Sequence, residues 1–168
     1  VLIGHEAGSA IATTNANTAV GYNALKITTA AENTAFGYSA AGKVLGGGNN
    51  TAIGSNALGL ADGDEDRNTA VGNNALYALN NDASDDNVAI GYNAGRYYND
   101  GGSDTALAQA DNCVLIGNLS RTSQDDASNQ IVIGYNALGI GNNTIALGDT
   151  NITAIKGQVD FAAYSDRR

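Results

Sequence analysis

The stretch that decides the fold is NTAVGYNAL at residues 17–25, because the phrase returns along the chain with little change. NTAFG stands at 33–37, NTAIG at 50–54, NTAVG again at 68–72 and NVAIG at 87–91. Looser copies read NCVLIG at 112–117, NQIVIG at 129–134 and NTIALG at 143–148, each with what reads as one extra residue. Val1 to Gly4 is the tail of a further copy, so the chain opens in mid-motif and reads as an excised or processed piece. The anchoring glycines, Gly4, Gly21, Gly37, Gly54, Gly72, Gly91, Gly117, Gly134 and Gly148, lie 14 to 26 residues apart. A fixed motif with a variable spacer is the signature of a solenoid whose insertions fall on one side.

Each copy has a second half: YNAL after Gly21, YSAA after Gly37, SNAL after Gly54, NNAL after Gly72, YNAG after Gly91 and YNAL after Gly134. Glycine gives the corner its backbone freedom, and asparagine tolerates the left-handed region there. The repeat therefore reads as a short strand, a turn at Gly-x-Asn and a second short segment. Helical periodicity is absent, and the class is all-β. Neighbouring strand residues point to opposite faces, yet Ala19/Val20, Ala35/Phe36, Ala52/Ile53, Ala70/Val71 and Ala89/Ile90 are all apolar. Both faces ask for burial while one coil has one interior, so a second chain is expected, with the alanine column suited to close approach between subunits.

Composition agrees with order by regularity. Leu, Ile, Val and Phe make up 34 of 168 residues, charged residues are 15%, Gly numbers 22, and Pro, Met and Trp are absent. A net charge of −9 disfavours nucleic acid and anionic membrane surfaces as partners. The apolar runs are too short for a membrane span, and no signal peptide is visible. Cys113, the one cysteine, excludes an intrachain disulfide framework and reads as a buried thiol where other copies have Thr.

The phrase N-x-A-[VIF]-G-x-[NS]-A over residues 1–150 resembles the head repeats of trimeric autotransporter adhesins, and equally the repeats of phage and large-virus tail fibres. That resemblance implies a left-handed parallel β-roll, intertwined or side by side as a homotrimer. Those heads usually have a shorter, more even period, so the wider spacers here, 59–67 and 96–111, depart from the family and read as irregular loop insertions. Residues 151–168 read as a C-terminal junction. Within them IKGQVDFAAYSDRR (155–168) resembles the stretch before the intramolecular chaperone domain of endosialidase-type fibres. The resemblance implies self-cleavage at a serine in Ser-Asp-x-Arg-Leu-Lys. Ser165, Asp166 and Arg168 match, whereas the Leu and Lys fall past Arg168. Without that lysine as activating base the serine is an ordinary hydroxyl.

Candidate binding residues are Tyr22, Tyr38, Tyr92 and Tyr135, each following an anchor glycine, together with Tyr97 and Tyr98. They read either as an aromatic strip for sugar rings or as packing along a solenoid edge. Asp62, Asp64 and Asp66 have the alternate spacing of a calcium loop, but Arg67 stands where its Gly belongs and Asn73 where its Glu belongs, so the stretch reads as a solvated acidic loop. Asp85/Asp86 and Asp125/Asp126 read the same way. His5 and Glu6 lack the second His of a zinc-protease helix. The column of Thr18, Thr34, Thr51, Thr69 and Thr144 lacks the paired threonines of an ice-binding face. One histidine leaves acid–base chemistry poorly supplied, and neither a cofactor nor catalysis is expected. The reading as a whole is a structural and receptor-binding segment of a viral tail fibre, carried on the virion. It would attach to a host glycan or protein through the loops at 59–67, 76–86 and 96–111. The alternative is a bacterial trimeric adhesin head at the cell surface.

Overall fold

A computed structural model describes residues 1–11, 16–99 and 104–154. Its thirteen strands run β1 (Leu2–Ile3), β2 (Thr18–Val20), β3 (Thr34–Phe36), β4 (Thr51–Ile53), β5 (Thr69–Val71), β6 (Val88–Ile90), β7 (Tyr97–Asn99), β8 (Asp104–Ala106), β9 (Ala110–Asp111), β10 (Val114–Ile116), β11 (Ala127–Ser128), β12 (Ile131–Ile133) and β13 (Ile145–Leu147). Nine of them form one parallel sheet in the order β1-β2-β3-β4-β5-β6-β10-β12-β13, so every coil lays its strand directly on the previous one. No helix occurs among the described residues. The molecule is a parallel β-solenoid, and with parallel strands ~4.8 Å apart its sheet is roughly 40 Å long.

Register explains the repeat. Ala19 pairs with Ala35, Ala35 with Ala52, Ala52 with Ala70 and Ala70 with Ala89, and the flanking Thr and Val/Phe/Ile residues pair likewise. The middle residue of each strand points inward and is fully buried in all five of these rungs. This corrects the expectation that the alanines meet a neighbouring subunit. They line the coil's own interior, and it is the Val/Phe/Ile column that faces out. A second buried row, Ala24, Ala40, Ala57, Ala75 and Ala94, comes from the turn wall, with Leu25, Leu58, Leu76 and Leu79 filling the gaps. A coil this thin closes on methyl groups, which is why so low a content of large apolar residues suffices.

The second segment of the repeat is not a strand. It is a stack of turns in which Leu25 N–H donates to the Ala40 carbonyl, Ala41 to Ala57, Leu58 to Ala75 and Leu76 to Ala94. Left-handed backbone at Asn23, Asn56, Asn74 and Asn93 turns each coil, as the Gly-x-Asn spacing foretells. It recurs two residues later at Leu25, Leu58 and Leu76, where burial of the side chain offsets an uncommon conformation. The anchor glycines stack on one another: at Gly54, with φ +130°, an added Cβ would lie 2.6 Å from the Gly72 carbonyl.

The three looser copies contain no extra residue. Val114 pairs with Val88 and Leu115 with Ala89, which places Cys113, not Asn112, opposite Asn87. Gln130 and Thr144 take the same place in later rungs, so Thr144 leaves the outward threonine column and Ile145 occupies it. Leu115, Val132 and Ala146 then continue the buried row.

Candidate functional site

What each rung buries besides methyl groups is an amide. Asn33 N–H donates to Asn17 Oδ1 (2.8 Å), Asn50 to Asn33 Oδ1 (2.9 Å), Asn68 to Asn50 Oδ1 (2.8 Å), Asn87 to Asn68 Oδ1 (3.0 Å) and Cys113 to Asn87 Oδ1 (2.9 Å). The same side chains donate their Nδ2 across the coil to the carbonyls of Ala30, Gly47, Glu65, Ser84 and Ala110. This asparagine ladder ties together the coils from Asn17 to Cys113 and is buried out of a ligand's reach. Its signal in the sequence is the Asn that opens every clean copy of the phrase.

Outside, the nine-stranded sheet presents two columns. Thr18, Thr34, Thr51, Thr69, Val88, Val114, Ile131 and Ile145 form one, and Ile3, Val20, Phe36, Ile53, Val71, Ile90, Ile116, Ile133 and Leu147 the other. No charged residue stands in either. Phe36 is 58% exposed, Ile53 41% and Ile90 41%. Monomeric proteins rarely leave a contiguous apolar strip of this length in water.

The tyrosines do not make one strip. His5, Tyr22 and Tyr38 stack face to face, with centroids 5.1 and 5.4 Å apart and ring planes within 7° and 5°. Tyr22 is thereby covered on both faces, and His5 and Tyr38 on one each. Tyr92 and Tyr135 are exposed in the same column, separated from that stack and from each other by Ser55, Asn73 and Asn118. Tyr97 and Tyr98 belong instead to an antiparallel hairpin, β7 with β8, inside the expected 96–111 insertion. Arg96 lies 4.9 Å over the Tyr97 ring and 5.2 Å over Tyr77, and Tyr98 packs half-buried against the core.

The acidic loops are more ordered than solvated tails. Asp66 Oδ1 accepts from Gly48 N–H and Oδ2 from Arg67. Arg67 also grips Asp86 through two nitrogens, at 2.7 and 2.9 Å, and Asp85 at 3.1 Å. That grip holds the Asp86 carboxyl below the usual carboxylate range. Asp125 Oδ1 accepts from the amides of Ala108 and Gln109. Asp62 and Asp64 are exposed, and no group of three or more His, Cys, Asp or Glu that could hold a metal occurs among the described residues. Glu65, unremarked in the sequence, is fully buried in this loop with both carboxyl oxygens against Gly63 N–H. Burial pushes its pKa up to about 7, and Asp62 and Asp82 reinforce the shift.

A groove of about 320 Å³ runs beside the turn stack, lined by Asn23, Ser39, Asn56, Lys26, Lys43 and Tyr77 among others. Cys113 is buried, with Sγ toward the carbonyls of Asp111 and Ala127. Ser165 and Asp166 lie outside the described residues. Among those described, no helix is long and apolar enough to cross a membrane. No protein-family model matches the chain, and no curated protein and no solved structure matches it.

Proposed function

We propose that this chain is the shaft or head segment of a viral tail fibre, a left-handed β-roll that works as a homotrimer and attaches the particle to a host surface. The observation that carries the reading is the uncharged outer face of the sheet, one of whose two columns is apolar over nine successive rungs and half-buried to exposed in a single chain. Three such faces turned toward a common axis cover one another, and a closed cyclic arrangement uses the same face on every copy. Because each coil completes its own interior with alanine, leucine and asparagine, the three rolls lie side by side. The acidic loops and the tyrosine column then remain on the outside, where a rigid rod presents them to a receptor. The role is adhesive and mechanical, without catalysis.

Light scattering on the purified chain tests the assembly, and binding of the labelled protein to intact cells tests the attachment. A trimer that decorates cells supports the reading; a trimer that binds no cell type leaves a purely structural rod.

A further inference from the structure

The groove beside the turn stack has a chemistry that the acidic surface around it lacks. Asn23, Ser39 and Asn56 stand at the same place in three successive rungs, two residues after the anchor glycines Gly21, Gly37 and Gly54. Lys26 and Tyr77 follow their anchors by five residues, and Lys43 and Leu60 by six, so the groove spans four rungs along the rod axis. With ~4.8 Å between rungs that is a length of about 14 Å. Two of the three lysines in a chain of net charge −9 line it. Lys26 is tied to Glu6 at 2.6 Å, which leaves Lys43, exposed and without an ion pair among the described residues, as the cation available to a ligand. Tyr77 is held in place by Arg96 over its ring. Asn23 Oδ1, shielded from solvent at the groove wall, has no hydrogen-bond partner.

We infer that this groove binds an acidic saccharide, its carboxylate at Lys43, its hydroxyls on the amides and hydroxyl of Asn23, Ser39 and Asn56, and its C–H faces on Leu60 and Tyr77. Amide and hydroxyl groups repeated at one-rung intervals suit a polyhydroxylated chain laid along the axis. The volume is that of a small-ligand site, at the lower end of the usual range. This rests on the reading of the protein as a host-attachment segment and names the ligand class for it.

Calorimetric titration of the full chain with 3′-sialyllactose, a hyaluronan hexasaccharide and a polygalacturonate hexamer, against lactose and chitohexaose, is the test. At least one acidic saccharide binds at least tenfold more tightly than the neutral ones, and added salt weakens it. Lys43→Ala and Tyr77→Ala each lower that affinity at least tenfold, while Lys43→Arg keeps it; an unchanged mass by light scattering shows that the variants assemble. Binding of no acidic saccharide, indifference to Lys43→Ala, or equal binding of polyglutamate overturns the proposal. The two readings fail separately. If Lys43→Ala protein decorates cells as well as the wild type, the groove is wrong and attachment stands. If the wild type binds saccharide but no cell, attachment is wrong and the groove stands.

Discussion

Asn50 shows how much one side chain does in this fold. It is 1% exposed, its Oδ1 accepts from Asn68 N–H, and its Nδ2 donates to the Glu65 carbonyl. Asn50→Ala orphans a buried donor and a buried acceptor at once, and at ~1–3 kcal/mol for each the expected loss is roughly 2–6 kcal/mol in chemical denaturation. Gly54→Ala puts a methyl group against the Gly72 carbonyl in a backbone region that side chains avoid, and should cost at least about 2 kcal/mol by the same measurement. Glu65 gives a pH signature. The folded protein holds its proton up to about pH 7, whereas the unfolded carboxyl releases it near its ordinary value of 4.5. Between those values the folded state binds more protons, so stability falls as pH rises through the window and is level above it. Glu65→Gln keeps the neutral form at every pH. Its melting temperature should match the wild type near pH 4 and exceed it at pH 8, and an equal difference at both pH values would contradict the assignment.

At the scale of the element, what could be read beforehand was the part that repeats. The phrase fixed nine rungs because a parallel stack requires equal residues at equal places, and Gly-x-Asn marked the corner because few residue types accept left-handed backbone. What escaped was direction. Alternation says that Ala52 and Ile53 oppose each other but not which one faces the interior, and the turn wall decides it: where Leu25, Leu58 and Leu76 reach in, only alanine fits opposite, and Leu115 enters where Gly95 stands in that wall. The one-residue shift at Cys113 escaped for a related reason. Asn112 looks like the ladder asparagine, yet it sits at the left-handed corner before the strand, where asparagine is equally at home. The stacking of His5, Tyr22 and Tyr38, the burial of Glu65 and the groove at Lys43 depend on contacts between rungs 16 to 19 residues apart. A linear pattern carries no trace of those contacts beyond the fixed offset from each glycine.

For the whole molecule, the unresolved demand is the outer sheet face. Burying it stabilises the assembly roughly in proportion to its apolar area, and Val71, half-buried at the middle of the column, sits where a charge does most harm. Val71→Asp leaves the coil's own interior untouched, so the variant should keep its β-sheet circular dichroism and yet fail to associate, because the contact would bury a charge without a partner. The most direct measurement is the solution mass of the wild-type chain by light scattering at micromolar concentration. A mass of about 51 kDa, three times the 17.0 kDa of one chain, is the result predicted, and a folded 17.0 kDa particle with its sheet face in water would contradict it.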